Sequence, residues 1–246
     1  MQEDCEVNDP VIRYLGDSAL SVEFGNRIDA ELVSRVHAFD AALNQLCLAG
    51  VVETVPTYRA TTVIFDPLTA DVREIEAAVL RLASTESDAG RPVGQLWEVP
   101  VTYGQDFGID LDDVAAHAGM TPSDLVEAHA DPEYLVAMVG FLPGFSYLSG
   151  LDPRLSTPRR SEPRARIPAS SISIGGQQTA IGSLEGPSGW HVIGRTPARP
   201  FHPGRMPEFL FEPGDRIRFR PVSAREWSEL DRGATRGALV AERVDG

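Results

Sequence analysis

Between Tyr134 and Pro221 glycine and proline interrupt the chain so often that only short strands fit. Strand-like stretches fall at Tyr134–Val139, Ser171–Ile174, Gln178–Ile181, His191–Ile193 and Arg216–Pro221, with Gly/Pro turns between them. Strands this short and frequent, following two short helices, predict an antiparallel barrel or sandwich. Within this region, residues 140–195 mix aromatics, Arg, amide side chains and turn glycines with little helical periodicity. That mixture makes a poor plain core. It suits a polar pocket on a β framework, because anchoring groups for a small ligand sit best on loops held by rigid strands.

The first ninety residues alternate differently. Ala19–Phe24 reads as a strand; Leu32, Val33, Val36, Phe39, Leu43, Leu46 and Cys47 fall at helical spacing, with Gly50 closing that helix. Val51–Val55 and Tyr58–Phe65 read as strands, and Val72, Ile75, Val79 and Leu82 mark a second amphipathic helix. With Trp97–Tyr103 as a last strand, the order is the βαββαβ of a ferredoxin-like split unit; alternatively that strand opens the next domain. Ser84–Gly94 is polar and rich in breakers, a linker composition. The division expected is an α+β N-terminal domain over residues 1–92 and a mainly β domain over 93–246. Leu111–Ala118 and Pro122–Ala130 read as short helices, the second capped by Thr121.

Charge narrows the class of partner. The net charge is −14, which disfavours nucleic acid and anionic membrane. Its distribution is uneven: residues 154–220 carry eleven Arg against five acids, a local +6, which suits an anionic ligand or an acidic partner surface. Every one of the 22 basic residues is Arg. A phosphate-binding, Schiff-base or general-base Lys is therefore excluded, and any anion is held by Arg forks, backbone N–H groups or helix N-termini. Two cysteines, Cys5 and Cys47, make neither a disulfide framework nor a metal cluster. With no signal-like start and no apolar run near the roughly 20 residues of a membrane span, a cytoplasmic protein is expected.

Common catalytic patterns are missing. Gly144-Phe-Ser-Tyr-Leu148 lacks the second glycine of a nucleophile elbow, and the five histidines have no ligand spacing, so no catalytic residue and no metal site is assigned. The binding candidates are these. Phe141, Phe145 and Tyr147 form an apolar wall for a ring, or else a turn packing on the core. Arg159 or Arg160, in a Pro-stiffened segment, can fork onto a carboxylate or phosphate. Gln177, Gln178 and Thr179 follow two glycines, and the successive amides point to opposite strand faces, so that one of them can read an amide-bearing ligand. Trp190, His191 and Arg195 place an indole, an imidazole and a guanidinium within six residues.

Taken in order, GFLPGFSYL (140–148), PRR-x-x-PR (158–164), IP-x-x-S-x-x-IGGQQTAI (167–181), GW-x-x-IGRTP (189–197) and PGDRIRF (213–219) resemble the family of 5-oxoprolinase B subunits. That family is also called allophanate hydrolase subunit 1 and includes kinase inhibitors of the KipI type. The Gly186-Pro-Ser-Gly-Trp190 turn departs from the expected Ser-Pro-Gly-Gly-Trp but keeps its last Gly and Trp. The resemblance implies a C-terminal barrel of the cyclophilin-like kind. It also implies two partners, a C subunit of related barrel fold (allophanate hydrolase subunit 2 type) and an A subunit of LamB/YcsF type. Together they would open 5-oxo-L-proline to L-glutamate with ATP and Mg. This chain would supply the substrate pocket and contacts to its partners while binding no nucleotide tightly. Two rival readings stand beside it: a regulatory module that docks on a sensor histidine kinase, and a component of an allophanate hydrolase.

Overall fold

The computed structural model describes residues 10–84 and 94–244. The arm bearing Cys5 and residues 85–93 of the expected linker lie outside them. The chain divides into two compact units, Met1–Pro92 and Val93–Gly246.

The first unit is a four-stranded antiparallel sheet with two helices: β1 (Val11–Tyr14), β2 (Ala19–Glu23), α1 (Ala30–Gln45), β3 (Val51–Pro56), β4 (Ala60–Phe65) and α2 (Val72–Ala83). The sheet order is β1-β2-β4-β3. Asp29 caps α1 by accepting from the Leu32 N–H, and Asp71 caps α2 by accepting from Arg73 and Glu74. Both helices lay their apolar stripes on the sheet, so Leu20, Val22, Val36, Phe39, Val63, Ile75 and Val79 make one core. The ferredoxin-like βαββαβ order is therefore corrected to ββαββα. The edge beside β2 is taken by β1, which the sequence hid because its four residues are mostly exposed and show no alternation. Helix α1 stops at Gln45 rather than at Gly50, which instead turns the chain into β3 with φ +80°.

The second unit begins with β5 (Leu96–Tyr103), followed by α3 (Leu111–Ala118), α4 (Pro122–Ala130), β6 (Glu133–Val139), β7 (Ser146–Ser149) and a 3-10 turn at Pro153–Leu155. Then come β8 (Arg164–Ile167), β9 (Ser171–Gly175), β10 (Gln178–Ile181), β11 (Gly186–Ser188), β12 (His191–Arg195), β13 (Arg216–Pro221), α5 (Ala224–Ala234) and β14 (Glu242–Val244). Seven strands close into a barrel in the order β12-β9-β10-β7-β6-β13-β5, with β12 pairing back onto β5 at Gly194↔Tyr103; β14 adds to the free length of β5. β13 runs parallel to β5 and the other barrel pairs are antiparallel. Closure leaves the barrel no open edge. Val99, Val101, Val136, Leu148, Ile172, Ile174, Ile181, Ile193, Ile217 and Phe219 fill its interior. β8 and β11 form a separate two-stranded ribbon, so the Pro-stiffened segment over residues 158–166 runs into a strand at its end.

Two buried polar knots fix this barrel. Asp215 accepts from Gln95 N (2.8 Å), Trp97 Nε1 (3.0 Å) and Glu212 N (3.0 Å), tying the start of β5 to the turn before β13. His129, fully buried at the end of α4, lies 2.9 Å from the Tyr103 hydroxyl and 3.0 Å from the Thr179 hydroxyl. Thr179 gives its one hydroxyl hydrogen to Ser173 O (3.1 Å), so it must accept from His129 Nε2–H. Nδ1 is then left to accept from Tyr103. Only the neutral ring fits this pattern, and burial pulls its pKa down to about 3. No helix among the described residues is long and apolar enough to cross a membrane.

Candidate functional site

A cleft of about 230 Å³ opens on the barrel, lined by Phe141, Phe145, Tyr147, Arg159 and Pro187–Trp190. Four pieces of chain supply it. The β6–β7 turn brings Phe141 and Phe145, and β7 brings Tyr147. The segment before β8 brings Arg159, and β11 runs through Pro187 and Ser188 to Trp190 at the mouth of β12.

The aromatic wall is continuous. Phe141 meets Phe145 edge-on at 5.6 Å, Phe145 meets Tyr147 at 4.7 Å, and Tyr147 meets Trp190 edge-on at 5.8 Å. Trp190 lies flat against β9 because residue 175 is glycine: a Cβ there would sit 2.5–2.7 Å from three indole atoms. The Trp190 N–H donates to Ser188 Oγ at 3.0 Å, which fixes the approach to the ring. The turn that carries the phenyl rings is strained. Phe141 holds φ +73°, a region a bulky side chain enters at a cost of about 1–3 kcal/mol. Gly144 at φ +74° has no room for a side chain, since a Cβ would meet Phe201 Cβ at 2.9 Å.

Arg159 lies across the opening, its guanidinium carbon 5.6 Å from the Trp190 ring centre. Its neighbours are all committed. Arg164 makes a fork onto Asp110 (2.6 and 2.7 Å), Arg160 reaches the same carboxylate at 3.3 Å, and Arg166 pairs with Glu185 at 3.0 Å. Asp110 also accepts from the Val192 N–H at 2.8 Å, and its side chain is only 1% exposed. Desolvation alone would raise that carboxyl. The hydrogen bonds from Arg164 and Val192 and the charges of Arg164 and Arg160 outweigh it and hold it below the usual carboxylate range. Asp110 thus pins the start of β12 and the arginine segment together, leaving Arg159 with no carboxylate among the described residues. Tyr147 is raised by burial, an effect the Arg159 charge partly offsets.

Of the candidates, the structure brings Phe141, Phe145, Tyr147, Arg159 and Trp190 together. The others lie elsewhere. Arg160 belongs to the Asp110 cluster. Gln177 is exposed at the β9–β10 turn, and Gln178 is half-buried opposite Gly175, outside the cleft lining. Thr179 serves His129 inside the barrel. His191 Nε2 donates to Pro158 O at 3.0 Å, bracing the arginine segment from behind. Arg195 is at the far end of β12, bonded to Ala169 O and lying 5.3 Å from the Trp227 ring centre; burial and then the Arg199 charge lower its pKa. Trp190, Gln178 and Arg195 therefore do not converge on one cavity. Pro187, Ser188 and Gly189 line the cleft without standing among the candidates; the signal beside them in the sequence is the Gly/Pro turn that leads into Trp190.

The carboxyltransferase domain family, subdomains C and D, matches residues 10–211. The chain is 34% identical over 230 residues to the B subunit of 5-oxoprolinase from Bacillus subtilis, covering 88% of this chain and 94% of that one. This chain belongs to the family of 5-oxoprolinase B subunits. A second relative, the 5-oxoprolinase B subunit of Escherichia coli O157:H7, is 39% identical over 208 residues, covering 84% and 94%. Among solved structures, TTHA0988 superposes with a TM-score of 0.73 at 29% identity over 87% of this chain. The chain spans only 41% of TTHA0988, which carries a large additional portion. Three of the segments that carry the resemblance to the 5-oxoprolinase B subunits, at 140–148, 158–164 and 189–197, each put a residue into the cleft lining.

Proposed function

We propose that this chain is the substrate-recognising component of an ATP-dependent 5-oxoprolinase complex, which opens 5-oxo-L-proline to L-glutamate with partner subunits of the A and C types. One observation carries the assignment: an Arg159 guanidinium with no carboxylate partner among the described residues, set over Trp190 in a cleft walled by aromatic rings. 5-Oxoproline is a small flat ring bearing one carboxylate. The ring packs on Trp190 between Phe145 and Tyr147, and the carboxylate takes Arg159, a charge-assisted bond. Tyr147 and Ser188 offer hydroxyls to the lactam, the amide that Gln178 is placed too far out to read. The barrel is taken as cyclophilin-like on the same family grounds, and a groove of that kind suits a proline-shaped ring.

The lactam is resonance-stabilised like any amide, so water attacks it slowly. Coupling to ATP supplies the activation in the complex. The cleft lining does not fit Mg-ATP: it holds one guanidinium, no second cation to spread along a triphosphate and no carboxylate to hold the metal. The role of this chain is to bind the ring, orient it and keep it from bulk water while activation takes place.

The test is turnover by the purified complex. ATP hydrolysis that appears only on adding 5-oxoproline supports the assignment. Hydrolysis indifferent to 5-oxoproline, or driven by allophanate instead, overturns it.

A further inference from the structure

The first unit holds a cavity of its own, of about 130 Å³, between α1 and the last turn of α2. Its lining includes two buried rings, Phe24 just after β2 and Phe39 on α1, packed edge to face with centres 5.1 Å apart. Ala38 and Ala42, one turn apart on α1, line it together with Leu82 and Ala83 at the end of α2. The two α1 alanines open the space, because their side chains stop at Cβ where a close-packed helix pair would carry a branched one. Apolar space left empty forfeits dispersion contacts along its whole lining. The volume is near the roughly 150 Å³ of an apolar cavity that takes up benzene, so a hydrocarbon body of about four to six carbons fits.

One charged group enters this lining. Arg35, one turn before Phe39 on α1, donates from Nη2 to Ala83 O at 3.0 Å and holds its guanidinium carbon 5.1 Å from the Phe24 ring centre. Those two contacts fix the head against the cavity. A guanidinium has five N–H donors, and Ala83 O takes one of them. Among the described residues Arg35 meets no carboxylate. The other side chains of the lining are alanine, leucine and phenylalanine, which offer no polar atom.

We infer that this cavity binds a small monocarboxylate with a short branched or cyclic hydrocarbon body. The body fills the space over Phe39 between Ala42 and Leu82, and the carboxylate takes the remaining N–H groups of Arg35 in charge-assisted hydrogen bonds. The inference goes beyond the function proposed above and does not rest on it. 5-Oxoproline and L-glutamate are the wrong occupants, since each carries a second polar group that would go unpaired against these walls. A polyphosphate is wrong as well, with one guanidinium to meet several charges. Because the lining comes from both α1 and α2, a ligand held there by the folded chain alone raises its stability.

The experiment follows the full chain by two-dimensional NMR and titration calorimetry. The probe is 3-methylbutanoate, with 3-methylbutanamide as its uncharged twin and acetate as charge without a body. On the unmodified chain the acid should bind at least tenfold more tightly than either control, with shifts confined to residues 24, 35–42 and 82–83. Arg35→Met keeps an apolar stem and should weaken the acid tenfold or more while leaving the amide unchanged. Ala42→Leu fills the space and should abolish binding while raising the melting temperature of the ligand-free chain. The comparison of acid with amide needs no variant, so it stands even if a variant misfolds. Equal binding of acid and amide, or wild-type affinity in Arg35→Met or Ala42→Leu, would overturn the inference. So would the absence of saturable binding by about 10 mM acid, or shifts at residues 141–147 and 190 in place of those named. Binding of 3-methylbutanoate without 5-oxoproline-dependent ATP turnover would leave this site standing and remove the functional assignment. Turnover without such binding would do the reverse.

Discussion

The guanidinium of Arg159 rests 5.6 Å above the indole of Trp190, while Arg160, its chain neighbour, is turned to Asp110. The cation covers the ring on which the proposed substrate would pack. On the proposed function, a ligand with a flat ring and a carboxylate would displace it from the face and keep it at the edge. Trp190→Leu retains apolar area but removes the π surface. It should cost about 1–2 kcal/mol of ring binding, a roughly 5- to 30-fold rise in KM for 5-oxoproline by the assembled complex.

Gly175→Ala tests the wall from behind. The new methyl group would fall well inside van der Waals contact with the indole, so either the ring leaves β9 or the strand shifts. Overpacking of this kind costs about 1–3 kcal/mol. Thermal unfolding should report that loss, and KM for 5-oxoproline should rise with it. An unchanged melting temperature would mean that the ring is not seated on β9.

Asp110→Asn removes the buried carboxylate of the ion cluster and leaves two arginines facing an amide. A loss of about 3–5 kcal/mol is expected, measured by urea unfolding at neutral pH. Because the folded carboxyl is depressed, its stabilisation is present above the unfolded value of about 3.9 and is lost only as pH falls through the lower folded one. Asp110 therefore contributes no pH dependence between pH 7 and 5.

His129 does. Its folded pKa of about 3 lies below the unfolded value of roughly 6.5, so the unfolded chain binds the proton first. Stability falls by about 1.4 kcal/mol for each pH unit between those two values and levels off below the folded one. His129→Gln, which can still bond Tyr103 and Thr179, should flatten that slope. Urea midpoints at pH 7 and 5 for both proteins check it. Equal slopes would show that the ring is not buried neutral.

Much of the barrel is legible in local sequence, because strands between frequent Gly and Pro turns announce themselves by period and punctuation. β1 and the β8–β11 ribbon are not: four mostly exposed residues carry no alternation, and Arg164–Ile167 between two prolines looks like loop until Ser188 pairs with Arg164. The aromatic half of the cleft is legible for a similar reason, since Phe141, Phe145, Tyr147 and Trp190 stand where a core would want aliphatics. The division of labour among the arginines is not. Asp110 and Arg164 are 54 residues apart, and no spacing rule connects them. Arg195 stands near Trp190 in sequence, whereas the length of β12 carries it to α5 and Trp227.

The most direct measurement compares Arg159→Ala with Arg195→Ala in the 5-oxoproline-dependent ATPase of the assembled complex. Loss of one charged contact is worth about 1.5–3 kcal/mol, so Arg159→Ala should raise KM roughly 10- to 150-fold while Arg195→Ala stays near wild type. A wild-type KM in Arg159→Ala, or the larger defect in Arg195→Ala, would contradict the placement of the substrate in the Trp190 cleft.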